Sequence, residues 1–126
     1  INEAVKEYKN KIVKEFSLSK EKPNPVFDLI HLGIGDDGHT ASIFNPQKVN
    51  NEELIDITQG EQFDRITFTY KILNHAKNIL FLVTGDKKKK IVKEILKNNK
   101  RFAAANVENK GNTYFLLDTN AATLIE

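Results

Sequence analysis

The 126-residue sequence contains no cysteine, no methionine and no tryptophan. Without cysteine, disulfides, thiolate catalysis and zinc–thiolate sites are all excluded. No apolar run approaches the roughly 20 residues that span a bilayer. The longest, Ile79–Val83, has the length of a strand, so no membrane partner is expected. Charge of one sign is also missing: 19 lysines and arginines face 17 aspartates and glutamates, a net +2. Such a balance argues against a module that wraps nucleic acid. Prolines number only three, and Pro23 and Pro25 fall in one break. The N-terminus lacks the pattern of a signal peptide. With no methionine anywhere, Ile1 is not a translated start, and sequence upstream of it is expected. What is present is a chain with 40% hydrophobic residues. It is long enough for one domain or a large piece of one, and able to bury a core without staples.

Val5, Tyr8, Ile12 and Phe16 recur at helical spacing among lysines and glutamates, which predicts an amphipathic helix over Glu3–Phe16. Ser17–Pro25 ends it. Val26–Leu32 predicts a strand entering a glycine-rich turn, Gly33–Gly38, with a short helix over His39–Phe44 to follow. Gln47–Gln62 is polar apart from a strand candidate at Leu54–Ile57. Arg65–Tyr70 alternates like a half-exposed strand, and Lys71–Ala76 predicts a short helix. Asn78–Thr84 is apolar without alternation, the pattern of a strand covered on both faces. Asp86 is placed to cap a helix over Lys87–Asn98, whose buried side is Ile91, Val92, Ile95 and Leu96. Thr113–Leu117 predicts a third buried strand, and Asp118 the cap of a last helix through Leu124. Strands alternating with helices indicate α/β layers and parallel pairing.

Gly33-Ile34-Gly35-Asp36-Asp37-Gly38 satisfies G-x-G-x-x-G directly after a predicted strand, the context of a dinucleotide fingerprint. Two features oppose that reading. The adjacent carboxylates Asp36 and Asp37 repel a pyrophosphate, and Pro46 ends the following helix after about two turns. What the turn does offer is an acid and a histidine separated by one glycine, Asp37-Gly38-His39, where open α/β sheets bind ligands. Glycines let backbone N–H groups approach a ligand, and a following helix N-terminus favours developing negative charge. Histidine exchanges protons near neutral pH, and a neighbouring carboxylate can fix its tautomer or hold a substrate hydroxyl. Spacing alone is equally consistent with glycines that merely form a tight turn and a His39 that caps a helix. The Lys87–Lys90 run points in several directions from a helix, so it is expected to be a solvated helix start. His31 is expected to be packed in its strand and His75 to be structural or exposed. The dispersed Tyr8, Tyr70 and Tyr114 form no stacking platform.

The block HLGIGDDGHTASIF at His31–Phe44 resembles the signature of 6-phosphogluconolactonases, roughly L-G-x-G-x-D-G-H-x-A-S-x-F-P. Three further blocks agree in order and spacing. Arg65–Thr69 is similar to the family's R-I-T-x-T strand, with Leu73, Asn74 and Ala76 following. Leu80–Gly85 is similar to its late strand, and Phe115–Ala122 to its closing block. The resemblance runs from about Val26 to Ile125. It implies an α/β fold with a Rossmann-like, mainly parallel sheet and helices on both faces. It further implies hydrolysis of 6-phosphoglucono-δ-lactone to 6-phosphogluconate in the oxidative pentose phosphate pathway, in the cytoplasm, with no metal and no cofactor. By the same resemblance His39 is the general base that activates water. Asp37 orients it or binds sugar hydroxyls, and Arg65 is a phosphate ligand. Gly33, Gly35 and Gly38 shape the substrate pocket and stabilise the oxyanion.

Departures from the family pattern are specific. Glu61-Gln62-Phe63-Asp64 stands before Arg65 where the family often has Lys-Pro-Pro-x, so an acid replaces an expected phosphate-binding lysine. The usual F-P is interrupted as Phe44-Asn45-Pro46. The family's N-terminal half has no counterpart, so residues 1–126 are expected to be the C-terminal portion of one such domain. That portion alone is expected to be inactive and to show an open sheet edge. In some protozoa the domain is fused to glucose-6-phosphate dehydrogenase, and such a fusion would suit a missing start. The nearest alternative is a glucosamine-6-phosphate isomerase/deaminase, which shares D-G-H but continues H-I-A-F-N-E-P. Here Phe44 stands at the position of that glutamate. A non-catalytic sugar-phosphate sensor is the alternative of another class, though a sensor has no need of a D-G-H base.

Overall fold

The computed structural model describes residues 1–125. Along the chain run α1 (Asn2–Glu15), β1 (Ile30–Leu32), β2 (Ile55–Gln59), β3 (Asp64–Phe68) and α2 (Tyr70–Leu73). They are followed by β4 (Asn78–Val83), α3 (Lys89–Leu96) and β5 (Asn112–Leu117). Short 3-10 turns at Asp86–Lys88 and Ala103–Asn106 flank α3. The fold is α/β. β4 lies between β1 and β5 in a parallel sheet, while β2 and β3 form a separate antiparallel hairpin. Both β1 and β5 are therefore sheet edges among the described residues.

Register explains where the core sits. Leu32 lies opposite Phe81, and Phe81 opposite Phe115. Alternation then places Ile30, Ile79, Val83 and Leu117 on the same face. That face joins Ile91, Val92 and Ile95 of α3 in one hydrophobic cluster, and the rings of Phe81 and Phe115 stack at 4.9 Å. The opposite face carries Leu82, Tyr114 and Leu116, which are 42%, 52% and 57% exposed. The non-alternating apolar sequence of β4 and β5 thus corrects to strands covered on one face only, because the described residues supply an apolar layer to that face alone. Leu96, expected on the buried side of α3, is likewise exposed.

The first helix forms as its periodicity predicts, but its stripe is shallow. Ile12 is buried, Val5 and Phe16 are partly buried, and Tyr8 lies at the surface with its ring 5.8 Å from Phe68. Phe68 continues to Phe27 and Phe27 to Phe16, so an aromatic row ties α1 to the β2–β3 hairpin. The strand expected from Val26 begins only at Ile30. Before it, the carbonyls of Phe27 and Asp28 accept bonds from Lys77 N–H and the Asn78 amide, which anchor that segment as loop. Asp86 makes no capping bond and pairs instead with Lys89, so α3 starts three residues later than Asp86. No last helix forms: residues 119–124 are successive turns. Asp118 nevertheless acts as a cap would, accepting from Ala121 N–H at 2.8 Å. Its carboxylate also accepts from Gly85 N–H at 3.1 Å, joining the ends of β4 and β5.

Phe81 is the largest fully buried side chain, enclosed between β1 and β5. Phe81→Ala is expected to destabilise the full-length protein by about 3–5 kcal/mol in urea unfolding. A loss below about 1 kcal/mol, the scale of a surface change, would contradict this placement of the core.

Candidate active site

β1 ends at Leu32, and the chain turns sharply through Gly33–Gly38 at the C-terminal end of the parallel sheet. Each bond in this turn holds the next residue in place. Gly38 N–H donates to Gly35 C=O at 2.9 Å, and Gly35 N–H to His39 C=O at 2.9 Å. Gly38 has φ +83°, a left-handed conformation that suits glycine, and a Cβ there would strike the Phe102 ring. From outside, Ala104 N–H donates to Gly38 C=O and Thr40 Oγ1 to Gly33 C=O.

The turn brings Asp37 and His39 together. His39 Nδ1 lies 2.5 Å from Asp37 Oδ1, which also accepts the His39 backbone N–H at 3.0 Å. Partial burial pushes the Asp37 carboxyl up, but the bonds from the His39 backbone and ring, with the ring's charge, outweigh it. The net value lies below the ordinary one. Asp37 is therefore ionised at neutral pH and can only accept, so Nδ1 of the neutral ring must carry the hydrogen. Nε2 is left with a free lone pair. The pair rests directly on Gly35, where a Cβ would overlap Nδ1 and Cε1 of His39 and come within 2.8 Å of Asp37 Oδ1.

The segment after His39 is not a helix. Ala41 has φ +50°, and Thr40 and Ile43 form an isolated antiparallel bridge. The physical reason is competition from tertiary partners. Ser42 N–H donates to Thr67 Oγ1, Ser42 C=O accepts from Thr58 Oγ1, and Thr40 is fully buried. The expected helix N-terminus beside the site therefore falls away. The oxyanion role expected of the glycines also changes, since Gly35 and Gly38 spend their N–H groups inside the turn. Gly33 contributes its carbonyl to Thr40, and nothing would meet a Cβ at that position.

His39 and Asp37 open into a cleft of about 810 Å³ whose other wall is the β2–β3 hairpin: Gln59, Gly60, Glu61, Gln62 and Arg65. Arg65 is exposed there and pairs with no carboxylate among the described residues. Phe44 closes one side, with its ring 4.8 Å from that of His39. The structure thus brings Asp37, His39 and Arg65 to one cleft from sequence positions that propensity alone could not join.

Sequence reasoning missed Lys88. Its ammonium donates to Ile34 C=O at 2.7 Å and pairs with Asp36 at 2.8 Å, locking the front of the glycine turn to the start of α3. Its hydrogen bond and charge hold the Asp36 carboxyl below the ordinary value. Lys88 also lines a second opening of about 460 Å³ beside His39. The lysine run is consequently more than a solvated helix start. The available signal was the pairing requirement of Asp36, one of two adjacent carboxylates in a tight turn.

A model of the glucosamine-6-phosphate isomerases/6-phosphogluconolactonase family matches residues 1–115. The chain belongs to that family. A 6-phosphogluconolactonase of Haemophilus influenzae is 42% identical over 119 residues, covering 88% of this chain and 51% of the relative. One of Synechocystis is 37% identical over 102 residues, covering 77% and 42%. The solved structure of a 6-phosphogluconolactonase from Trypanosoma cruzi superposes with a TM-score of 0.81 at 27% identity, covering 98% of this chain and 52% of that one. The chain thus spans about half the length of the curated relatives it matches.

Within this family fold, two outcomes follow from the seat of the dyad. Gly35→Ala is expected to displace the His39 ring and break its bond to Asp37, measured as a shift of the His39 imidazole nitrogen resonances in the full-length protein; unchanged resonances would contradict the seat. The depressed Asp37 value also has a sign. The stabilisation it carries is present above the ordinary unfolded value and is lost as pH falls through the lower folded one. A carboxyl titration followed by NMR is expected to give Asp37 a midpoint below that of an ordinary aspartate, and a midpoint above it would contradict the bond.

Proposed function

We propose that the protein hydrolyses 6-phosphoglucono-δ-lactone to 6-phosphogluconate, the lactonase step of the oxidative pentose phosphate pathway, with His39 as general base. The observation that carries this reading is the Asp37–His39 pair opening on the cleft that Arg65 shares. The names of relatives 37% and 42% identical support the same substrate.

The chemistry follows from the tautomer. Nε2 takes a proton from a water molecule as that water attacks the lactone carbonyl carbon. The developing imidazolium is stabilised by the Asp37 carboxylate at Nδ1. The tetrahedral intermediate then breaks its bond to the ring oxygen, which receives the proton held at Nε2. The ring opens to the acid, which ionises, and His39 returns to its starting form. Arg65 binds the phosphate through its planar guanidinium, so that the carbonyl lies at the dyad end of the cleft. Gly33, Gly35 and Gly38 do not line this cleft and serve substrate binding indirectly, by shaping the turn that carries Asp37 and His39. No step calls on a metal or a redox cofactor.

Phe44 favours the lactonase over the deaminase chemistry of the same family, because an apolar ring rather than a carboxylate packs on His39. The test is His39→Ala in the full-length protein, followed by coupled detection of 6-phosphogluconate. Turnover is expected to fall by about 100- to 10,000-fold, with product binding retained in calorimetry. Near-wild-type turnover would overturn the assignment of His39. Ammonia release from glucosamine 6-phosphate by the wild type, without lactone hydrolysis, would overturn the substrate.

A further inference from the structure

Two charges of opposite sign face the same cleft without meeting. Glu61 and Arg65 both line it, yet among the described residues neither forms an ion pair with the other or with any other side chain within 4 Å. Their proximity is set by the hairpin tip. Gly60 N–H donates to Phe63 C=O at 3.1 Å, closing the turn. The side chain of Arg65 runs so near Gly60 that a Cβ there would lie 3.2 Å from both its Cγ and its Nε. Glu61 is the next residue and is exposed. A ligand held by the guanidinium in this cleft therefore shares it with the Glu61 carboxylate.

We infer that Glu61 is a specificity-determining residue that weakens the hold of this cleft on the substrate's phosphate. The inference rests on the lactonase reading. A phosphate monoester carries nearly two negative charges at neutral pH. Arg65 attracts it, and an uncompensated carboxylate on the same turn repels it. The repulsion acts on the phosphorylated end alone, so it discriminates against phosphorylated lactone relative to its uncharged analogue. It acts across solvent, so salt screens it. Because the phosphate keeps the same position while the carbonyl reacts, the interaction is nearly equal in ground and transition states. It therefore moves KM rather than kcat.

The experiment compares wild type and Glu61→Gln in the full-length protein, with 6-phosphoglucono-δ-lactone and unphosphorylated glucono-δ-lactone as substrates. Glu61 makes no bond that the isosteric amide would lose, so folding is not at stake. The phosphorylated-over-unphosphorylated ratio of kcat/KM is expected to rise about three- to tenfold at low salt. The change should come from KM for the phosphorylated lactone and shrink toward unity at about 0.5 M salt. An unchanged ratio would overturn the inference, and so would a fall, which would make Glu61 a substrate ligand. If wild type shows no turnover above the spontaneous rate, the lactonase reading itself fails and the inference with it. An active wild type with an unmoved ratio removes only the inference.

Discussion

The hydrogen bond between the His39 ring and the Asp37 carboxylate is the constraint on which the site depends. An ionised acceptor at Nδ1 leaves Nε2 as the basic atom, and it does so two residues away on the same turn. Such a short connection leaves little room for error. The carboxylate must bend back over the turn to accept both the ring and the backbone N–H of the same residue. The absence of a side chain at Gly35 makes that bend sterically possible.

The wider structure holds this turn from several directions. Lys88 reaches from the far end of β4 to the Ile34 carbonyl and Asp36, Ala104 ties Gly38 to the segment before β5, and Thr40 returns to Gly33. On the other side, Thr58 and Thr67 clamp the backbone of Ser42 to the hairpin that carries Arg65. The acid–base pair and the cation across the cleft are therefore positioned by the same small set of hydroxyl and backbone bonds. Thr67 is 3% exposed, and Thr69 is fully buried with its hydroxyl on the Glu53 carbonyl. Thr67 in β3 and Thr69, which caps α2, thus act as connectors and not merely as β-formers.

Much of this was legible in the residues. The five strands, the helices α1, α2 and α3, the parallel pairing of β4 with β1 and β5, the turn after β1 and the D-G-H motif follow from hydrophobic period, glycine spacing and the chemistry of an acid next to an imidazole. The antiparallel pairing of β2 with β3 and the turns that replace a helix after Asp118 do not. What was not legible depended on partners distant in sequence. Residues 39–44 have helical-looking composition, but hydroxyls from Thr58 and Thr67 capture the backbone of Ser42, and Ala41 turns left-handed. β4 and β5 have the composition of strands covered twice, yet pattern reports only that both faces are apolar, not which is packed. The role of Lys88 was hidden because a run of four lysines looks uniform until one of them finds Asp36. The contest between Glu61 and Arg65 required the hairpin register that places both on one wall.

Nitrogen NMR of the His39 imidazole in the full-length protein, at a pH where the ring is neutral, tests the central claim most directly. The account predicts a protonated, pyrrole-type Nδ1 and a bare, pyridine-type Nε2, with that preference lost in Asp37→Asn. A bare Nδ1, or a tautomer mixture indifferent to Asp37, would contradict it.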